Sequence, residues 1–186
     1  MQRDCGQASR ERGTSLIEMM IAILVLTVGL ISSMALVSVS VGSNARSKKG
    51  STSTALAEMI IGQISSIPVA RGVTSVTITD CAGNNITVNT SGTAGGAGAN
   101  LTTSGSIDFT QTFSSVTAGY AMRYVVCGVS NGMQSTYDVR WNVKLLPSGK
   151  QEFVTVGAQS IGSSTVNPLA SALPVNLRTV VGDDGN

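Results

Sequence analysis

The sequence predicts an α+β protein in which a long N-terminal α-helix packs, by its second half, on a small antiparallel β-sheet. An uncharged apolar run from Met19 to Val41 is long enough to cross a bilayer as a helix. Between Ala55 and Ile67, apolar residues return every three or four positions, which is the period of one helix face. Apolar and polar residues then alternate from Tyr137 to Leu145, which is the period of a strand.

The helix is predicted to cover residues 14–67, because Pro68 disfavours its continuation. Its apolar run, at about 19–41, would measure roughly 35 Å at ~1.5 Å per residue, against a hydrocarbon thickness of about 30 Å. A secretory signal peptide has a shorter apolar core, of about 7–15 residues, with its cleavage site after that core. The run is therefore predicted to be a transmembrane segment.

Residues 68–186 are predicted to form a β-rich domain of four or five strands. A turn at Pro147–Gly149 separates two of them, and a Ser-, Thr- and Gly-rich stretch from Asn89 to Ser106 is expected to be a surface loop. The tail from Ser160 to Asn186 is expected to be mostly irregular. The predicted strands are Val73–Thr79, Ile107–Phe113, Tyr120–Val129, Tyr137–Leu145 and Glu152–Val156.

Composition argues against several classes of function. The formal net charge of +2 and the aromatic content of 4% are too low to predict a nucleic-acid partner. Histidine is absent, which removes the commonest general base and the His-containing nucleophile arrangements. No Cys-x-x-Cys pair is present. We therefore predict no catalytic residue, no metal site and no cofactor.

Glu18 stands at the edge of the apolar run. A carboxylate moved into hydrocarbon costs about 2.5–3.5 kcal/mol on insertion scales, so such residues are functional candidates. The alternative interpretation is an interfacial residue that the helix dipole stabilises at the helix start.

The residues around Glu18 resemble a known processing signal. Residues 10–20 read Arg-Glu-Arg-Gly-Thr-Ser-Leu-Ile-Glu-Met-Met, a charged leader that ends in glycine, with glutamate fifth after it. This resembles the class III signal of type IV prepilins and type II secretion pseudopilins. The resemblance implies that a cytoplasm-facing prepilin peptidase removes residues 1–13 by cutting after Gly13. Thr14 would then be the mature, N-methylated N-terminus, although the family usually has Phe or Met there.

The chemistry of this signal is physically intelligible. A carboxylate buried among apolar helices needs a cationic partner. Cleavage after Gly13 creates one, the ammonium of Thr14, which a neighbouring subunit can present to Glu18. Such a pair would set the register between subunits, as buried polar residues do in coiled coils.

Further likeness is to PilV-type minor pilins, through Gly29-Leu30 in the apolar run and through the strand Tyr137–Val143, which resembles a Tyr-x-Val-x-Trp pattern. The resemblance implies a non-catalytic minor type IV pilin with the pilin fold. Its partners would be the prepilin peptidase and other major and minor pilins. It would lie in the bacterial inner membrane with a cytoplasmic N-terminus, and in the pilus at the cell surface after assembly. The alternatives are a type II secretion minor pseudopilin and a membrane-anchored periplasmic binding module or enzyme.

The three cysteines fit this processing. A cut after Gly13 removes Cys5 and leaves Cys81 and Cys127, an even pair. In an oxidising compartment the pair is predicted to form a disulfide, and two independent buried thiols are the alternative. Basic residues flank the apolar run equally, three on each side, so their count gives no orientation. The predicted disulfide places the β-rich domain outside the cytoplasm.

Overall fold

The computed structural model describes residues 15–67, 73–128, 134–162 and 173–182. The chain divides into two units, residues 1–41 and 42–186. The described ranges contain one long helix, α1 (Leu16–Ser65), a short 3-10 helix (Phe113–Ser115) and seven strands. The strands are β1 (Ser75–Thr79), β2 (Asn85–Asn89), β3 (Ala97–Gly98), β4 (Ala121–Cys127), β5 (Gln134–Leu145), β6 (Gln151–Ser160) and β7 (Val175–Gly182). The predicted α+β class is confirmed.

The strands form two antiparallel sheets. β1 and β2 make a hairpin of their own. In the five-stranded sheet, β6 pairs with one edge of β5, while β3 and β4 share its other edge, opposite different parts of the strand. β7 continues the sheet beyond β6. The order follows the chain from β4 to β7, because short loops favour pairing between consecutive strands.

The second half of α1 supplies the apolar surface that the sheets need. Its buried residues Leu56, Ala57, Ile60 and Ile64 are spaced as one helix face and belong to the same core as β5 and β6. Trp141 is fully buried at the middle of β5, and its indole N–H donates to the backbone oxygen of Asn89 at 2.8 Å. The smaller sheet is thereby fixed to the larger one.

The polar face of β5 is also buried, which the alternating pattern did not predict. Asp138, Arg140 and Asn142 are each less than a tenth exposed. The Arg140 guanidinium donates to both carboxylate oxygens of Asp138, at 2.7 and 2.9 Å, and to the backbone oxygen of Gln111 at 2.6 Å. Because its donors are satisfied inside the protein, this face can carry charge without contact with water.

The segment that covers this face includes the predicted strand Ile107–Phe113, and that prediction is wrong. Residues 107–113 contain no ladder beyond an isolated bridge between Leu101 and Ile107. Carbonyl groups here accept from Arg140 instead of a neighbouring strand, and the rings of Phe109 and Phe113 lie 5.2 and 5.8 Å from its guanidinium carbon. The alternation of residues 107–113 thus arises from packing around the buried Arg140 guanidinium, although the same pattern is typical of a strand.

The expected surface loop Asn89–Ser106 is only partly on the surface. Gly98 pairs with β5, and the following residue, Ala99, is fully buried. Gly98 has a φ of 110°, and a Cβ atom there would collide with the backbone oxygen of Trp141. Only glycine therefore permits this close approach of two backbones.

Three strands were not predicted: the two-residue β3, described above, and the strands β2 and β7. β2 is short and ends in asparagine on both sides, and β7 lies in the tail that was expected to be irregular. β7 is held by more than its ladder, because the Asn176 side-chain oxygen accepts from the N–H of Ile107 at 2.9 Å. The predicted strands Val73–Thr79, Tyr120–Val129, Tyr137–Leu145 and Glu152–Val156 correspond to β1, β4, β5 and β6.

Candidate functional site

The apolar first half of α1 is the candidate functional surface. Its side chains from Leu16 to Val41 are exposed. The helix is long and apolar enough to cross a membrane. Roughly 26 consecutive exposed residues of this character far exceed the apolar patches tolerated in water. The segment is therefore a candidate membrane span.

Three hydroxyl side chains within this segment bond to their own helix. Thr27 donates to the backbone oxygen of Leu24, Ser32 to that of Val28 and Ser33 to that of Gly29, each at 2.8 Å. A hydroxyl bonded to its own helix presents mainly apolar atoms outward, which lowers the cost of placing it in hydrocarbon. The sequence reasoning missed this property, although serine and threonine in an apolar run are its signal.

Glu18 lies in the first turn of α1, and its amide N–H donates to the backbone oxygen of Ser15 at 2.9 Å. Its side chain is exposed. The first basic residue of the helix is Arg46, which is about 42 Å away at ~1.5 Å per residue. No cation on the same helix can therefore neutralise this carboxylate.

The predicted processing residues Gly13 and Thr14 lie outside the described residues, as does Cys5. Cys81 and Cys127 lie within them and form a disulfide, with their Cα atoms 5.9 Å apart. Cys81 lies two residues after the end of β1, and Cys127 ends β4. The bond thus joins the hairpin to the five-stranded sheet.

Asp80, beside the disulfide, organises the turn between β1 and β2. Its carboxylate accepts from the backbone N–H groups of Ala82 and Asn84 at 3.0 and 2.8 Å, and from the Asn84 side chain at 2.9 Å. It also accepts from the N–H of Val125, on the edge of β4, at 3.3 Å. The hydrogen bond from the Asn84 side chain, with these backbone donors, lowers the pKa of Asp80 below its ordinary value of 3.8.

This lowered pKa predicts a pH-dependent contribution to stability. Because folding favours the ionised form of Asp80, the contribution is full above the unfolded pKa and is lost as the pH falls through the lower folded pKa. We expect the Tm of the native protein to exceed that of Asp80→Asn at pH 7, and the gap to shrink below about pH 4. Thermal unfolding followed by circular dichroism at pH 7, 4 and 2.5 measures it. Glu58→Gln, on the exposed helix surface, is the matched control, and a gap that stays constant with pH would contradict the prediction.

No group of three or more metal-ligating side chains occurs in the part of the chain that the structure describes. Comparisons with protein-family models, with curated proteins and with solved structures found no match to this chain.

Proposed function

We propose that this chain is a minor type IV pilin, a non-catalytic subunit that enters a filament through the apolar half of α1 after cleavage behind Gly13. The observation that carries the proposal is that the two halves of one helix differ in their surroundings. One face of its second half is buried in its own disulfide-containing domain, whereas its first half is exposed, apolar and headed by Glu18. A filament of packed helices needs both features in one element.

Glu18 separates this proposal from a simple membrane anchor. An anchor requires apolar surface and gains nothing from a carboxylate at its edge. In a bundle of such helices, the carboxylate becomes favourable only when a cation from another subunit reaches it. The Thr14 ammonium, formed by cleavage, supplies that cation without adding a basic side chain to the apolar run.

The helix dipole supports the same arrangement before assembly. Glu18 stands in the first turn, where the unpaired N–H groups of the helix carry partial positive charge. Such an interaction is worth about 0.3–1 kcal/mol. The subunit can therefore remain in the membrane with Glu18 beside the helix N-terminus and exchange this weak partner for a full ammonium on assembly.

Processing tests the proposal directly. We expect mass spectrometry of the protein in sheared filaments to find Thr14 at the N-terminus, carrying one methyl group. A Gly13→Ile variant, which blocks cleavage by bulk next to the cut, should keep residues 1–13 and stay in the membrane fraction. Recovery of chains that begin at Met1 from filaments would contradict the proposal.

The destination of the mature protein distinguishes the alternatives that share this processing. A pilin is recovered in surface filaments after shearing. A type II secretion minor pseudopilin is processed in the same way but stays with the cell envelope. Deletion should then abolish protein secretion in the second case and piliation in the first.

A further inference from the structure

A surface cavity of about 320 Å³ lies along α1 shortly after the apolar run ends. Its volume is at the lower end of the range for small-molecule sites. The residues Ser43, Arg46, Ser47 and Gly50 line it, three or four positions apart, and therefore share one helix face. The remaining lining residue is Leu173, which precedes β7. The lining thus offers one guanidinium and two hydroxyls, and no carboxylate.

The two serine hydroxyls of the cavity lack the hydrogen bond to the helix backbone that three other serines of α1 make. Ser32, Ser33 and Ser51 each donate to the backbone oxygen four residues earlier, at 2.7–2.8 Å. The side-chain hydroxyls of Ser43 and Ser47 form no hydrogen bond to any residue that the structure describes. Their hydroxyl groups are therefore available as donors to a ligand.

The charged residues of α1 near the cavity are all basic. Between Glu18 and Glu58 the chain contains no acidic residue. Arg46 forms no ion pair with a carboxylate of the described ranges, and Lys48 follows it two positions later. A guanidinium has a planar fork of N–H donors that matches two oxygens of a phosphate group. The ligand that this site fits is a phosphate-containing anion.

The position of the cavity along the helix favours a lipid phosphate over a free phosphate ion. If the apolar run spans a membrane, Val41 lies near the end of the hydrocarbon layer. Arg46 then lies about 7–8 Å farther along the axis, at ~1.5 Å per residue. The polar headgroup layer on each side of a bilayer is about 5–8 Å thick. The guanidinium therefore reaches the depth at which lipid phosphates lie.

We propose that this cavity binds the phosphodiester headgroup of an anionic phospholipid, with Arg46 as the charged donor and Ser43 and Ser47 as the neutral ones. Leu173 adds an apolar contact at the rim. The inference rests on the membrane insertion of α1, which belongs to the proposed function. It adds that the subunit is held at a fixed depth and rotation by one lipid, beside the general attraction of basic residues to anionic membranes.

The test uses the full chain in zwitterionic detergent micelles, titrated with short-chain phosphatidylglycerol and followed by NMR shifts at residues 43–50. We expect Arg46→Gln to weaken binding about twentyfold, because a charge-assisted hydrogen bond pair is lost. The double variant Ser43→Ala/Ser47→Ala leaves the charge unchanged and should weaken binding about fivefold. Lys48→Gln, which removes one charge outside the cavity, should change it by less than about threefold.

Equal effects of Arg46→Gln and Lys48→Gln, with none from the serine variant, would overturn the site and leave only a general electrostatic attraction. Displacement of the lipid by millimolar inorganic phosphate would overturn the assignment to a lipid. If Arg46→Gln binds lipid normally but is lost from filaments, the partner is a neighbouring subunit and the proposal is wrong. Carbonate extraction of vesicles separates the two proposals, because a chain that carbonate releases fails the proposed function, whereas a retained chain without lipid binding fails only this inference.

Discussion

Replacement of Glu18 by alanine is expected to lower the amount of this protein in sheared filaments by roughly two to three decades. Loss of one member of a buried charge pair leaves the other, here the Thr14 ammonium, unpaired among apolar helices. That costs about 3–5 kcal/mol, and each ~1.4 kcal/mol corresponds to one decade in an equilibrium. Cleavage after Gly13 should proceed, since the peptidase acts before assembly. Quantitative immunoblots of sheared and membrane fractions measure the ratio.

Glu58→Ala is the matched control for this experiment. Glu58 is also an exposed glutamate of α1, but it lies in the half that packs on the domain. We expect its loss to leave the filament fraction unchanged within about twofold, because exposed charges contribute little. Glu18→Asp keeps the charge on a shorter side chain and should fall between the two. Normal recovery of Glu18→Ala in filaments would remove the pairing role and favour the anchor interpretation.

Removal of the disulfide, by Cys81→Ser/Cys127→Ser, is expected to lower the free energy of unfolding of the β-domain by about 4 kcal/mol. The bond closes a loop with a sequence separation of 46 residues, and the chain-entropy model gives this magnitude for that loop length. The double variant avoids a free thiol. Urea unfolding followed by Trp141 fluorescence measures the change, because this indole is fully buried in the core.

Cys5→Ser serves as the control for cysteine substitution itself. Cys5 belongs to the predicted leader, so its replacement is measured in the uncut chain, where it should leave the stability of the domain unchanged. Asp80 provides a second comparison, since it joins the same turn to β4 without a covalent bond. A loss well below about 1 kcal/mol in the double-serine variant would show that non-covalent contacts, among them those of Trp141 and Asp80, hold the hairpin.

Elements with a strong period could be predicted from the sequence. The helix from Leu16 to Ser65 begins with an uninterrupted apolar run and ends with a helical period from Ala55, and β5 alternates from Tyr137 to Leu145. Residues 107–113 also alternate, but their alternation places Phe109 and Phe113 around Arg140. A local pattern does not show which distant residue the side chains contact. Residues 107–113, which cover Arg140, therefore could not be distinguished from a strand.

Prediction failed where long-range contacts decide the backbone. β3 is two residues long and exists because Gly98 lets it approach Trp141. β7 has few buried side chains of its own, and its register follows from the ladder with β6 and the bond from Ile107 to Asn176. Neither strand carries a local signal strong enough to identify it before β5 and β6 are in place.

The residues of the candidate site also differ in whether the sequence could identify them. Glu18 could be identified from sequence, because a carboxylate beside an uncharged apolar run is unusual by itself. The role of Asp80 could not, because its bond to Val125 joins residues 45 positions apart. The local fragment Asp-Cys-Ala-Gly-Asn does indicate a turn capped by aspartate.

The covalent link between Cys81 and Cys127 also determines how the chain responds to force. When the two ends of the molecule are pulled apart, tension crosses the sulfur–sulfur bond, and the chain between the cysteines carries none. Fully extended, that segment would add roughly 150–165 Å at ~3.3–3.6 Å per residue, whereas the bridged Cα atoms are 5.9 Å apart. β2, β3 and most of β4 lie within the shielded segment. A subunit under tension can therefore lose α1 or β7 while the segment between the two cysteines keeps its length.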